Sequence, residues 1–153
     1  MADDAAPRKQ GLAAYEGDVV AWANEQASLL RAGRFADLDI EHLADEIEDV
    51  GKSERRELES RMAVLIAHLL KWSHQPDRRG RSWRDTIDLQ REAIDRRLRR
   101  TPSLKADLFQ EDWLADVWTD ARTMATGETG IEDLPRHSYW TVEQIMDCEF
   151  FPD

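Results

Sequence analysis

The residues able to do chemistry in this 153-residue chain are four histidines, one cysteine and a loop crowded with arginine. His42 precedes Asp45, Glu46 and Asp49 at helical spacing on a largely polar face. With His68 completing the set, His42 and Glu46 form a candidate metal-dependent site, because imidazole and carboxylate are both common ligands. The same residues also fit an ordinary solvated acidic helix. His68 itself falls in the most apolar stretch, where a buried imidazole needs a hydrogen-bond partner. Glu46 or Asp49 on a neighbouring turn is the expected partner, and a packed histidine is the expected role. None of the four histidines has glutamate three positions earlier, as a di-iron bundle requires. Neither a His-Glu-x-x-His nor a Cys-x-x-Cys motif occurs. Cys148 stands between Asp147 and Glu149, whose charge dulls a thiol nucleophile. A Gly-x-Ser-x-Gly elbow and a glycine-rich phosphate loop are both missing. No catalytic residue, metal or cofactor is assigned on these grounds.

The densest constellation is "WSHQPDRRGRSW". Trp72 and Trp83 bracket Pro76, Gly80 and the arginines Arg78, Arg79 and Arg81, and Arg84 follows. A helix starting at Ser82 would offer free N–H groups and the positive end of its dipole, which suits an anion. Equally, the two tryptophans close a core and leave the arginines in water.

These residues need helices to position them. From Asp18, a capping residue, Val19, Trp22, Ala23, Gln26, Ala27 and Leu30 share one face, and Gly33 ends the run. Asp37 or Asp39 opens a second pattern through Ile40, Leu43, Ile47 and Val50, interrupted by Gly51. The pattern resumes as "ERRELESRMAVLIAHLLKW", apolar all round and therefore the expected central helix. Gly51 costs only about 1 kcal/mol inside a helix, so one bent helix and two helices both remain open. Ser82 with Asp85 suggests a capping box for a helix with Trp83, Ile87, Gln90, Ile94 and Leu98 inward. Ser103 starts a further helix ended by Gly127, and Thr141 with Gln144 caps a short last one. No window alternates as a strand would. The expected fold is all-α, a compact bundle of about five helices, with residues 1–13 a flexible arm and 14–153 one domain.

Composition narrows the function classes. Hydrophobic residues make up 41%, including six Trp and four Phe, which is enough for a core at this length. A lone cysteine excludes a disulfide scaffold. No apolar run approaches the ~20 residues of a membrane span. The opening "MADDAAPRKQGLAA" has no apolar signal segment, so a cytoplasmic location is expected. The net charge is −11, and it is unevenly spread. Residues 37–59 hold ten acids and three bases, and 101–153 hold twelve acids and three bases. Residues 77–100 hold nine arginines and five acids, so they are expected to pack between the acidic segments. Nucleic acid is not an expected partner, because the basic run "RRLRR" sits in an acidic chain.

Three stretches, "YEGDVVAWANEQASLLRAGRFADLDIEHLADEIEDVG", "LESRMAVLIAHLLKWSHQPDRRGRSWRDTI" and "YWTVEQIMDCEFFP", resemble in order the bacterial family catalogued as domain of unknown function twenty-nine. The resemblance implies an all-α fold and brings no activity, cofactor or catalytic residue. Its family-like positions include Tyr15, Asp18, Trp22, Leu43, Glu46, Ile47, Glu48, His68, Lys71, Trp72, Gln75, Pro76, Arg79, Ser82 and Trp83. Relatives commonly carry an aromatic where His74 stands, which argues against His74 as a shared ligand. The leading functional expectation is a non-catalytic interaction module that meets a protein partner or a second copy of itself. Small-anion binding at residues 76–84 and a metal-dependent enzyme at His42, Glu46 and His68 are the alternatives.

Overall fold

The computed structural model describes residues 13–153. Among them are five α-helices: α1 Val19–Arg31, α2 Ile40–His74, α3 Arg81–Arg100, α4 Trp113–Thr129 and α5 Val142–Met146. Three 3₁₀ segments, Phe35–Asp37, Pro76–Arg78 and Pro102–Phe109, lie between them. No strand occurs among the described residues, so the fold is all-α as expected. None of these helices is long and apolar enough to cross a membrane. The expected arm lies outside the described residues except for Ala13, whose N–H donates to Glu25 at 2.7 Å.

The chain divides into two compact units, one ending at Lys52 and the other Ser53–Asp153. In the first, Asp18 caps α1 by accepting from the Ala21 N–H at 3.0 Å. Trp22, Gln26 and Leu29 are buried. Sequence spacing places Val19 and Leu30 on the same inner face as Trp22 and Gln26, but both are exposed and Leu29 is buried in their stead. Gln26 is inward as expected, and its Oε1 accepts the Asp39 N–H at 2.8 Å. Gly33 then takes φ 69°, a left-handed conformation that glycine adopts without penalty. Helix α2 is one unbroken element that runs through Gly51, which settles the choice the sequence left open.

The second unit forms around the C-terminal half of α2, where Leu58, Met62, Leu65, Ile66, Leu69 and Leu70 are fully buried. Helix α3 buries Ile87, Arg91, Ile94 and Leu98. Arg91 takes the place expected for Gln90, which is only partly buried. Its Nε donates to the Ile145 carbonyl at 2.9 Å and an Nη donates to the Phe150 carbonyl at 2.7 Å. A guanidinium can serve two carbonyls at once, which the shorter Gln amide cannot do from a neighbouring face. Around it the C-terminal segment is closed by rings, with Trp140 edge-on to both Trp118 and Phe150.

Two helix ends differ from the sequence reading. Residues 103–112 do not join α4, because the buried positions Leu104, Leu108 and Trp113 slip from a four-residue to a five-residue step. At the other end α4 passes through Gly127 and stops at Gly130, whose φ of 73° is left-handed. A Cβ at either glycine would meet no atom within 4 Å, so only backbone conformation separates them. Gly127→Ala is therefore expected to stabilise by roughly 0.5–1 kcal/mol, whereas Gly130→Ala costs about 1–2 kcal/mol. Thermal melts followed by circular dichroism should move in opposite directions. Arg91→Met leaves two buried carbonyls unserved and should cost ~2 kcal/mol or more. At this size that is a fall of about 4–8 °C in Tm.

Candidate functional site

The strongest polar cluster lies in the first unit, where the 3₁₀ turn Phe35–Asp37 delivers Asp39 to the start of α2. Asp39 acts as a hub. Its carboxylate accepts the Trp22 indole N–H at 3.0 Å and the His42 Nδ1–H at 2.7 Å, and lies 3.5 Å from the His42 backbone N–H. Of the two caps proposed from sequence, Asp39 is therefore the one at work. Tyr15 stacks on His42 with centroids 4.1 Å apart and meets Trp22 edge-on at 4.9 Å. Its hydroxyl donates to Glu46 Oε1 at 2.6 Å.

The electrostatics follow from these bonds. The hydrogen bond from His42 to Asp39 raises the imidazole pKa above its ordinary value, and the charges of Asp39 and Glu16 add to it. Burial pushes Asp39 upward, but the bonds from His42 and Trp22 outweigh it and hold the carboxyl below the usual range. Glu46, by hydrogen bond, and burial together push Tyr15 up to about 12. A hydroxyl so held is a poor acid and a poor nucleophile near neutrality. Asp39 does orient His42 as a carboxylate orients a catalytic imidazole, and among the described residues the remaining Nε2 lies 3.7 Å from Glu16. Chemically the cluster is a lock between α1 and the start of α2.

The residues of the metal reading are spoken for separately. His42 binds Asp39, Glu46 accepts from Tyr15, and His68 donates from Nδ1 to the Val64 carbonyl at 2.9 Å. His68 thus finds its partner one turn back on its own helix, where neither Glu46 nor Asp49 is needed. It is half-buried, and burial lowers its pKa. No group of three or more His, Cys, Asp or Glu among the described residues could hold a metal ion. Glu48 is exposed and pairs with Lys52 at 3.6 Å.

The arginine loop is also dispersed. Arg79 donates from Nε to the Trp72 carbonyl at 2.8 Å, closing the end of α2, and from Nη2 to the Pro152 carbonyl at 3.5 Å. Arg84 lies over the Phe151 ring at 4.6 Å. Arg81 is outside, 3.7 Å from Asp85, and Arg78 is exposed. Ser82 is not the cap: α3 begins at Arg81 after Gly80, which has no side chain to bond. Pro76 opens its 3₁₀ turn, Trp72 packs on Phe151 at 5.1 Å, and half-buried Trp83 lies under the Lys71 ammonium at 4.9 Å. Lys71 is itself buried and pairs with Glu128. That pair, like buried Arg91, escaped sequence reasoning, since a partner 57 residues away leaves no local signal.

A family model, "Domain of unknown function DUF29", matches residues 14–151. The chain belongs to this family. No curated protein and no solved structure matches it. The expected family resemblance is thereby established, and the match spans the chain from Tyr15 of the lock to Phe151 near the C-terminus.

The lock has a testable pH dependence. A histidine whose folded pKa is raised contributes its stabilisation in full below the unfolded value and loses it as pH rises through the folded value. The advantage of the native protein over His42→Gln should therefore be largest below about pH 6.5 and shrink above it. Asp39→Asn should return the His42 midpoint, read by NMR, to the ordinary imidazole range. An unchanged midpoint in that variant would show that Asp39 does not set it.

Proposed function

We propose that this DUF29 protein is a non-catalytic interaction module that docks a basic, amphipathic helix from a partner protein on the N-terminal part of α2. One observation carries the reading. Among the described residues, seven of eleven exposed large hydrophobic side chains fall between Val19 and Val50. On α2, Ile40, Ile47 and Val50 are 62%, 71% and 66% exposed and recur at helical spacing, so they form one stripe. A soluble surface rarely leaves such a stripe without a use.

Charge selects the occupant. Residues 40–50 carry five carboxylates, Glu41, Asp45, Glu46, Glu48 and Asp49, and no lysine or arginine. A second copy of the same surface would bring like charges together, whereas a helix with leucine-type anchors and flanking lysines complements both features. The Asp39 lock supports this reading further, because it fixes the turn from which the stripe projects.

The test uses a synthetic leucine–lysine helix with leucine at i, i+3, i+4 and i+7, and a leucine–glutamate control, titrated by fluorescence anisotropy. The lysine helix should bind, weakening with salt, and the glutamate helix should not. Ile47→Asp should lose about tenfold or more in affinity, the worth of burying one such side chain, with little change in Tm. Equal binding by that variant, or none by the native chain, would overturn the proposal. Sedimentation showing self-association that Ile47→Asp abolishes would replace the basic helix by a second copy.

A further inference from the structure

At the opposite end of α3 from the loop 76–84, the second unit contains a cavity of about 370 Å³. It is walled by four arginines, in a chain whose net charge is −11. Ala93, Arg96, Arg97 and Arg100 line it from one face of α3, at positions i, i+3, i+4 and i+7. Ala93 is small enough to leave the room that the longer side chains surround. Arg61 and the carboxylate of Glu54 enter from α2, and Thr101 closes the end.

The four guanidinium groups are not equally occupied. Arg97 donates from Nη1 to Glu54, and its Nη2 lies 3.7 Å from Glu57. Arg61 binds the same Glu57 at 2.9 Å and reaches Gln90 at 3.4 Å. Arg96 and Arg100 have no ion-pair or hydrogen-bond partner for their side chains among the described residues. The Nε of Arg97 is buried and likewise unpartnered. Cations in a last helical turn favour the dipole, which explains Arg97 and Arg100 as helix stabilisers. That effect accounts for neither Arg61, on another helix, nor the cavity between them.

We propose that this cavity binds a compact polyanion bearing adjacent phosphate groups. Arg96 and Arg100 supply free guanidinium forks to it, Arg61 faces it from α2, and Glu54 holds Arg97 in place. Planar forks suit phosphate oxygens because each offers two parallel N–H donors. Glu54 and Glu57 already offset part of the positive charge, so a ligand must carry several charges to gain from the rest. No aromatic ring among the described residues lines the cavity, so they offer no platform for a base. The acids on either side oppose a long nucleic-acid backbone. The site is independent of the α2 stripe and of the loop 76–84.

The experiment titrates the intact chain with pyrophosphate, orthophosphate and citrate by calorimetry and by thermal melt, at constant ionic strength. Pyrophosphate should bind with one-to-one stoichiometry, at least tenfold more tightly than orthophosphate or citrate. Arg96→Gln with Arg100→Gln should abolish this binding. Both side chains are exposed and unpaired, so the variant's own Tm and circular dichroism should stay native. Arg78→Gln with Arg81→Gln should bind as the native chain does. A Tm shift no larger than that of matched sodium chloride would overturn the proposal. So would retention of binding in the Arg96/Arg100 variant, or its loss in the Arg78/Arg81 variant. Equal affinity for citrate would overturn the phosphate assignment and leave a site for charge alone.

Discussion

The second unit depends on one constraint: residues 62–70 of α2 are apolar except for His68, and most of their side chains must be covered. Met62, Leu65, Ile66, Leu69 and Leu70 are each wholly shielded from water. A helix of this kind cannot lie on a surface, so the rest of the unit is organised as its cover. Ile87, Ile94 and Leu98 of α3 belong to the resulting core, as do Val117, Trp118, Ala121 and Ala125 of α4. Even the irregular stretch after α4 is drawn in through Leu134 and Trp140. Irregular backbone near a core must find hydrogen-bond partners, and here it finds side chains. The Trp118 indole serves the Pro135 carbonyl at 2.8 Å, and Arg122 serves that of Leu134 at 3.0 Å.

The arginines solve the same problem at the C-terminus. Composition suggested that the basic segment is neutralised by acidic ones, and Arg97 with Glu54 and Glu57 fits that picture. Arg99 instead pairs within its own helix, with Asp95 at 3.0 Å. Arg79 and Arg91 bond carbonyls, and Arg84 covers a ring. Surface ion pairs contribute only about 0–1 kcal/mol, whereas an unserved buried carbonyl costs about 1–3 kcal/mol. Placing arginine against carbonyls therefore has the larger effect on stability. Within residues 77–100, Arg96 and Arg100 at the far end of α3 have no such duty among the described residues, and neither does the exposed Arg78.

In the first unit polar groups do most of the organising. Among the described residues only Trp22, Gln26 and Leu29 are buried there, which is too few to define a unique packing by apolar contact alone. Asp39 compensates by joining three donors at one carboxylate, while Gln26 takes up the Asp39 N–H. A carboxylate hub is directional where a small apolar core is not. What is fixed in this way is an acidic helix with an outward apolar stripe of Ile40, Ile47 and Val50.

The sequence by itself determined the helical class, the caps at Asp18 and Thr141, the central apolar helix and the family. Each is a local or periodic signal: a capping side chain acts within three residues, and an all-round apolar helix has only a buried solution. Tertiary structure decided which apolar stripes are covered. Periodicity marks Ile40, Ile47 and Val50 as a face just as it marks Leu58, Met62 and Leu65, yet only the latter are buried. A stripe states that a surface is needed and does not say whether the same chain supplies it. Partners were likewise decided in three dimensions. Arg91 finds carbonyls 54 and 59 residues away, and Lys71 finds Glu128, because packing sets those neighbours and spacing along the chain does not.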